Sequence, residues 1–241
     1  MSTDAAHSEF DAYAQQYEAA LNEGISVSGE SSQYFATQRI AWTAKLIGPN
    51  VSSILDFGCG VGIGVPELQK HFEPELTWGF DPSSAAIERA TREHGNEQTH
   101  FCFTADEIPE GKFELAYCNG VFHHIPPAER SVAFDIVFRA LSPGGWFAFW
   151  ENNPWNPGTR YIMSKIPFDR DAITISPSEA KQLLLAAGFE IQHRHSRFIF
   201  PRSLSFLRPL EDLVYRLPIG AQYLVLCQKQ STRYCAPIGK R

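Results

Sequence analysis

The sequence of 241 residues lacks several features that would assign it to a broad class of proteins. No apolar run approaches the roughly 18 residues of a membrane span, and the polar first eleven residues lack the apolar core of a secretory signal. The five cysteines show neither C-x-x-C pairs nor metal-site spacing, a pattern typical of buried thiols in a reducing compartment. We therefore expect a cytoplasmic protein without stable membrane insertion and without a metal site.

An excess of positive charge is also missing. The 21 Lys and Arg residues are outnumbered by 27 Asp and Glu residues, for a net charge of −6, so no general field attracts nucleic acid. The 44% hydrophobic and 20% charged residues are ordinary values for one domain with a sizeable core. We expect a small-molecule partner and no nucleic acid, and no pattern indicates an oligomeric state.

Two phosphate-binding fingerprints are absent as well. None of the glycines at 58, 60 and 62 opens a G-x-G-x-x-G spacing, so the dinucleotide fingerprint is missing. The phosphate loop ends in Gly-Lys-Ser/Thr, but neither Gly111-Lys112 nor Gly239-Lys240 is followed by a hydroxyl residue. Phosphate is therefore not the expected ligand.

The sequence does contain a glycine-rich turn at residues 54–64. The apolar pair Ile54-Leu55 indicates the end of a buried strand, and Asp56 follows it. Four glycines then alternate with other residues before a helix predicted over 63–71. Glycine permits positive φ and removes the Cβ atoms that would keep a ligand from the backbone, so the pattern predicts a ligand-binding turn.

A second acidic residue is correctly spaced to join this turn. Strand 76–80 is predicted to end at Asp81, nineteen residues after Gly62. A carboxylate at that end can accept hydrogen bonds from both hydroxyls of a ribose. Alternatively, Asp81-Pro82-Ser83 caps the helix predicted over 85–93, and the two interpretations are compatible.

The stretch Asp56-x-Gly58-x-Gly60-x-Gly62 resembles motif I of the class I S-adenosylmethionine-dependent methyltransferases of the small-molecule type. The L-x-P-G-G stretch at 141–145 is a second recurrent signature of that family. The resemblance covers about residues 52–229 and implies a Rossmann-like α/β fold. In that fold a seven-stranded, mostly parallel sheet with one antiparallel strand near its edge carries helices on both faces.

The same resemblance implies S-adenosyl-L-methionine as cofactor, S-adenosyl-L-homocysteine as product, and a set of binding residues. Asp81 would hold the ribose, and an acidic residue after the third predicted strand, 100–104, would face the adenine. Asp106 fits the latter position, although acidic residues before a proline also occur in surface turns. The predicted cofactor-binding residues are Asp56, Gly58, Cys59, Gly60, Asp81, Pro82, Asp106, Glu107, Asn119, Gly120, Arg39 and Tyr17.

Two segments before the glycine turn, 8–21 and 34–47, carry apolar residues at helical spacing and are predicted to be helices. The polar stretch 22–33 between them predicts a mobile joint. The resemblance implies that this segment covers the cofactor as a lid, with Tyr17 and Arg39 contributing. Alternatively, its aromatic residues only anchor amphipathic helices to the sheet. We therefore divide the chain into a lid segment at 1–50, a methyltransferase domain at 51–229 and a tail at 230–241.

The catalytic residues are predicted after the fourth strand, 113–118. This strand brings His123 and His124 to the edge where the other functional loops converge. An imidazole titrates near neutral pH and can accept the proton that the methyl acceptor loses. We favour His123 as the base and keep open that either histidine is structural. Methyl transfer from a sulfonium requires alignment of the nucleophile and no metal.

Two insertions, 152–175 and 200–220, are predicted to determine the substrate. Amide and aromatic groups at the first suit a polar, ring-containing acceptor such as a sugar or an aromatic metabolite, although a packed structural loop is the alternative. The second insertion is predicted to cover the substrate pocket, to pack against the domain without a binding role, or to contact a membrane. The predicted substrate-binding residues are Glu151, Asn152, Asn153 and Trp155.

The function expected from these patterns is methyl transfer to oxygen or nitrogen of a small metabolite. One alternative is a protein that binds the cofactor without catalysis and serves as a partner. Another is a methyltransferase that acts on a lipid-linked glycan or a protein.

Overall fold

The computed structural model describes residues 17–230, with the backbone alone at residues 17–19. Its centre is a seven-stranded sheet of order β3-β2-β1-β4-β5-β7-β6. Strand β7 is antiparallel to both of its neighbours, and the other strand pairs are parallel. This confirms the predicted fold class. The strands are β1 Ser53–Phe57, β2 Leu76–Phe80, β3 Thr99–Cys102, β4 Phe113–Asn119, β5 Leu141–Asn152, β6 Phe189–Arg197 and β7 Gln222–Lys229.

Helices cover both faces of the sheet. The α-helices are α1 Tyr17–Ile25, α2 Ser32–Ile47, α3 Val65–Phe72, α4 Ser84–His94, α5 Arg130–Ala140, α6 Pro157–Met163, α7 Pro177–Ala186 and α8 Glu211–Val214. Short 3-10 helices are Ser26–Ser28, Ala105–Glu107, Pro167–Asp169 and Arg202–Leu210. Among the described residues, no helix is long and apolar enough to cross a lipid bilayer.

Apolar residues on both faces of the central strands explain the two layers of helices. On β1, Ile54 packs into one cluster with Ile40 of α2 and Leu68 of α3. The next residue, Leu55, packs into a second cluster with Phe134 of α5. Successive side chains of a strand point to opposite faces, so a continuous apolar run is buried on both sides.

Several boundaries differ from the sequence prediction. Helix α3 begins at Val65, two residues later than predicted, because residues 58–64 form the glycine turn. Strand β5 spans Leu141–Asn152 and so includes the L-x-P-G-G stretch, since Leu141 pairs with Phe113 across an irregularity in the register.

The polar stretch 22–33, predicted as a joint without regular structure, is largely helical. Helix α1 runs to Ile25 and a 3-10 turn follows it. Serine hydroxyls make local bonds to the backbone there: Ser28 donates to the carbonyl of Ile25, and Ser31 accepts from the amide of Tyr34. Short hydroxyl side chains thus end one helix and cap the next. The polar composition of 22–33 therefore marks the boundary between two helices and not a long irregular joint.

The strand order places the functional loops together. Strands β1 and β4 are neighbours at the centre, and the chain continues outward from them in both directions. In such a sheet the loops beyond the carboxyl ends of the strands meet at one crevice, which opens where the order reverses. The glycine turn after β1, Asp81 after β2 and the histidines after β4 therefore converge.

A buried arginine fixes the loop after β4. Arg130 is 1% exposed, and its guanidinium donates to the carbonyl oxygens of Phe122, Ile125 and Ile173. It thereby connects the histidine loop to the segment that precedes α7.

We predict that Arg130→Leu lowers the free energy of unfolding by about 3 kcal/mol or more, because it leaves buried carbonyls without donors. The matched control is Arg139→Leu on the same helix. Arg139 is exposed and its pairs with Glu110 and Asp135 lie at the surface, so its loss should change stability far less. Urea unfolding of both variants checks this, and equal losses would contradict the role given to Arg130.

Candidate active site

The glycine turn is held against the end of β2. The amides of Gly58 and Cys59 both donate to the carbonyl of Phe80, at 2.7 and 3.0 Å. Gly58 has φ 79°, and a Cβ there would lie 2.2 Å from a methyl carbon of Val121. Gly60 has φ 53°, and a Cβ there would meet nothing within 4 Å. The first glycine thus allows close packing, whereas the second leaves open space beside the backbone.

Asp81 connects this turn to helix α4. One carboxylate oxygen accepts from the amide of Gly60 at 2.9 Å, and the other accepts from the amide of Ser83 at 3.0 Å. The N-cap of α4 is Ser83, whose hydroxyl accepts from the amide of Ala86. The two backbone amides thus fix the orientation of the Asp81 carboxylate.

A cavity of about 890 Å³ opens at this edge of the sheet. Its volume lies in the upper part of the roughly 300–1,000 Å³ typical of ligand pockets. Most of the predicted site residues line it, namely Arg39, Asp56, Gly58, Cys59, Gly60, Asp81, Pro82, Asn119, Gly120, His123, His124 and Asn152.

Other predicted residues lie elsewhere. Asp106 and Glu107 are exposed in a short 3-10 helix outside the lining, although their neighbours Thr104 and Ala105 line the cavity. The hydroxyl of Thr104 donates to the carboxylate of Glu107. Tyr17 begins α1, but its side chain is outside what the structure describes. The cofactor roles of these three residues stay predictions.

Of the residues predicted to bind substrate, some line the cavity and others do not. Asn152 lines the cavity and accepts from the amide group of Gln222 at 3.0 Å. Asn153 is fully buried outside the lining, where its amide donates to the carbonyls of Pro218 and Gly220. Trp155 is 54% exposed and is not part of the lining.

Glu151 lies behind the histidines. It is fully buried; one carboxylate oxygen accepts from the amide of Phe122 at 2.9 Å, and the other lies 2.7 Å from Nδ1 of His123. The amide of Asn152 also donates to this second oxygen, at 3.1 Å. Glu151 therefore orients the histidine loop in this structure and does not line the cavity.

Asp169 completes a cluster with the two histidines, and sequence reasoning missed it. Its Oδ1 lies 3.5 Å from Nε2 of His123 and 3.3 Å from Nε2 of His124. The first insertion turns back through Pro167–Asp169 to place this carboxylate in the lining. An aspartate in an irregular segment carries no periodicity that could have indicated this role.

The charges of this cluster are strongly coupled. Burial lowers the pKa of His123, but the charge of Glu151 and the contact with Asp169 together raise it to about 10. Burial and the charge of His123 lower the pKa of His124. Burial opposes ionisation of Asp169, yet contact with the histidines holds its pKa at about 2. His123 thus holds a proton between two carboxylates at neutral pH, which argues against it as the base.

The wall beside the histidines is apolar. Side chains from α1, α2 and the first insertion supply it, and several of them pack as one cluster. These lining residues are Leu21, Ile25, Phe35, Ile162, Met163, Ile166 and Phe168. The predicted amide-rich recognition surface is therefore mainly hydrocarbon, with Asn152, Thr159 and Gln222 as polar exceptions.

The polar residues of the cavity fit S-adenosylmethionine, a nucleoside that carries an amino acid on a sulfonium. Oδ1 of Asn119 is a buried acceptor with no hydrogen-bond partner at the cavity wall. Asp81 places negative charge beside the open space at Gly60, and Asp56 is a second acid that lines the same cavity. Such a wall suits a cationic ligand that also has donors and ribose hydroxyls.

Comparisons with known proteins agree with this geometry. The family described as Methyltransferase domain matches residues 30–206. A sterol 24-C-methyltransferase of Gibberella zeae is 27% identical over 191 residues, which cover 72% of this chain and 49% of that protein. The chain thus spans about half the length of that relative. An ubiquinone biosynthesis O-methyltransferase of Pseudomonas fluorescens is 28% identical over 171 residues, covering 64% of this chain and 71% of that protein.

Among solved structures, a SAM-dependent methyltransferase from Thermotoga maritima superimposes with a TM-score of 0.62 and 21% identity, covering 92% of this chain and 98% of that chain. The likeness at this identity shows the fold. The family match over most of the chain shows that this protein belongs to the class I S-adenosylmethionine-dependent methyltransferases. S-adenosylmethionine is the cofactor of that family, as the resemblance implied.

Asp56 yields a prediction about pH. Burial and the charge of Asp81 raise its pKa to about 7, with Arg39 opposing them. The native state therefore keeps this proton up to about pH 7, whereas the unfolded chain loses it near 3.8. Stability from this group falls as pH rises between these values, because the native state there binds more protons than the unfolded state.

We expect Asp56→Asn to gain stability relative to the wild type as pH rises from 5 to 8, by about 2.5 kcal/mol. Urea unfolding without cofactor at several pH values measures this difference. If the difference in the free energy of unfolding between the two proteins stays constant across that range, the raised pKa of Asp56 is contradicted.

Proposed function

We propose that this protein transfers a methyl group from S-adenosylmethionine to oxygen or nitrogen of a small, mostly apolar metabolite. The observation that carries the proposal is one cavity that is lined by both the glycine turn with Asp81 and the cluster of His123, His124 and Asp169. Cofactor-binding groups and proton-accepting groups thus face the same space.

The residues at the glycine turn would hold the cofactor. Asp81, fixed by two backbone amides, is placed to bind the ribose, and the free acceptor of Asn119 is placed to receive a donor. Asp56, whose pKa is raised to about 7, would contribute negative charge near the cationic part once it loses its proton. When bound, the cofactor supplies a methyl group already activated by the positive sulfonium, so the chain has mainly to align the acceptor.

The apolar wall indicates the class of acceptor. Hydrocarbon side chains stabilise the apolar body of an acceptor, whereas the hydroxyls of a sugar would lose their hydrogen bonds with water there. His124 and Asp169 lie where a single polar group of the acceptor would be received. This favours an aromatic or otherwise hydrophobic metabolite with one hydroxyl or amine over the sugar that we had also considered.

Exclusion of water supports the same reading. Phe168 and Ile166 are buried beside the cluster, at 8% and 2% exposure. Such apolar side chains reduce the hydration of a nucleophile beside them, and the electrostatic effect of Asp169 is stronger there than in water.

Gly60 provides a test of cofactor binding. We predict that Gly60→Leu abolishes calorimetric binding of S-adenosylhomocysteine, with a loss above tenfold, because the side chain would enter the open space of the cavity. The matched control is Gly111→Leu, since Gly111 also has positive φ (63°) and open space around its Cβ but lies outside the lining. Both variants carry similar backbone strain, so equal binding by both would contradict the assigned site.

The reaction is tested with a panel of acceptors and detection of the methylated product by mass spectrometry. We expect turnover of phenols or amines with apolar bodies and at least a hundredfold loss of kcat in His124→Gln, the size of effect usual for proton-transfer groups. Binding of S-adenosylhomocysteine should persist in the variant. Cofactor binding without turnover of any acceptor would support the non-catalytic alternative, and preferred turnover of sugars would contradict the apolar acceptor.

A further inference from the structure

The cluster beside the apolar wall contains the ligand set of a metal centre. One nitrogen of His123, one nitrogen of His124 and one oxygen of Asp169 lie within 4.8 Å of one another. Neighbouring ligands that share a tetrahedral or octahedral ion at about 2.0–2.1 Å lie roughly 2.8–3.4 Å apart. The two nitrogen-to-oxygen distances, 3.5 and 3.3 Å, are already close to that separation.

His123 supplies the most specific observation. Its Nε2 is buried with no hydrogen-bond partner, because the approach of Asp169 at 3.5 Å does not meet hydrogen-bond geometry. A buried ring nitrogen without a partner is costly, and it requires a further group to bind it. A cation between Nε2 and Oδ1 of Asp169 would supply the partner that Nε2 lacks.

Glu151 provides the outer support that metal-binding histidines usually have. Its carboxylate lies 2.7 Å from Nδ1 of His123 and is itself held by the amides of Phe122 and Asn152. A carboxylate that accepts from Nδ1 orients the ring so that Nε2 is the atom presented to an ion. The same contact increases the basicity of the imidazole.

The charge balance is consistent with a cation. Glu151 and Asp169 are two buried carboxylates, and among the described residues their ion pairs involve only histidines. Two buried carboxylates beside two imidazoles give this cluster negative charge that a divalent ion would neutralise.

We propose that His123, His124 and Asp169 bind one divalent transition-metal ion, with Glu151 as the outer partner of His123. Two imidazoles and one carboxylate favour Zn²⁺, Mn²⁺, Fe²⁺ or Co²⁺ over Mg²⁺ and Ca²⁺, which prefer oxygen ligands. This site differs from our sequence-based expectation of no metal. The expectation considered cysteine spacing, whereas these ligands come from β4's loop and a distant 3-10 helix.

The use of such an ion in catalysis rests on the proposed function. Three protein ligands leave further coordination positions, and all three residues line the cavity. An acceptor oxygen bound to the ion would be oriented and would lose its proton to water more readily, and His124 would then act as a ligand of the ion and not as the proton acceptor. The site therefore favours a hydroxyl over an amine as the methylated group.

The test titrates Zn²⁺ and Co²⁺ separately into untagged full-length protein after treatment with a chelator, by calorimetry and, for Co²⁺, by visible absorption. We expect one ion per chain, at least a tenfold weaker affinity in Asp169→Asn and in His124→Gln, and a loss of roughly 10–100-fold in Glu151→Gln. The matched control is Asp171→Asn, because Asp171 is exposed two residues from Asp169 and should bind the ion as the wild type does.

Binding of S-adenosylhomocysteine in each variant shows whether the fold and the cofactor site are intact, independently of metal binding. Absence of binding by either ion in wild-type protein that still binds S-adenosylhomocysteine would overturn the metal proposal and leave the proposed function standing. Wild-type affinity in both Asp169→Asn and His124→Gln would overturn it as well, since the ion would then bind elsewhere. If the metal binds as expected but S-adenosylhomocysteine does not, the proposed function fails instead.

Discussion

The buried carboxylate of Glu151 is the contact on which the reactive end of the cavity depends. It lies on β5 and accepts from the amide of Phe122 and from Nδ1 of His123, so it connects two adjacent parallel strands at the edge where function is located. With full burial, no water competes for these bonds. Arg130 supports the same loop from the other side through the carbonyls of Phe122 and Ile125. The position of His123 is therefore determined by the sheet itself.

Acidic side chains lie at both ends of the cavity. At the cofactor end Asp56 and Asp81 lie close enough for each charge to oppose the other, and at the acceptor end Asp169 lies against His123 and His124. Buried acids raise the free energy of the empty protein unless a cation or donors accompany them. A cationic cofactor at one end and a metal ion at the other would both relieve this cost, which gives ligand binding a stabilising effect on the fold.

Sequence reasoning could predict the parts of this protein in which local pattern carries the information. The glycine turn, Asp81 and the alternation of strands and helices follow from spacing and apolar runs, and the fold class was confirmed. The roles of Glu151 and Asp169 could not be predicted in this way. Each depends on a contact across tens of residues, such as the 28 between His123 and Glu151, that no local period encodes.

The apolar wall was missed for a related reason. Asn152, Asn153 and Trp155 drew attention because their side chains suit recognition, yet the structure uses Asn153 to hold backbone carbonyls and leaves Trp155 exposed. The residues that do face the cavity, such as Phe35 and Ile166, look in the sequence like ordinary core positions. Only their packing distinguishes a pocket wall from a core.

A crystal structure of the protein with S-adenosylhomocysteine shows directly whether one cavity holds both the cofactor and the histidine cluster. We expect the ribose on Asp81 and the sulfur facing the cluster of His123, His124 and Asp169 across the cavity. A ligand bound with its sulfur turned away from that cluster, or bound outside this cavity, would contradict it.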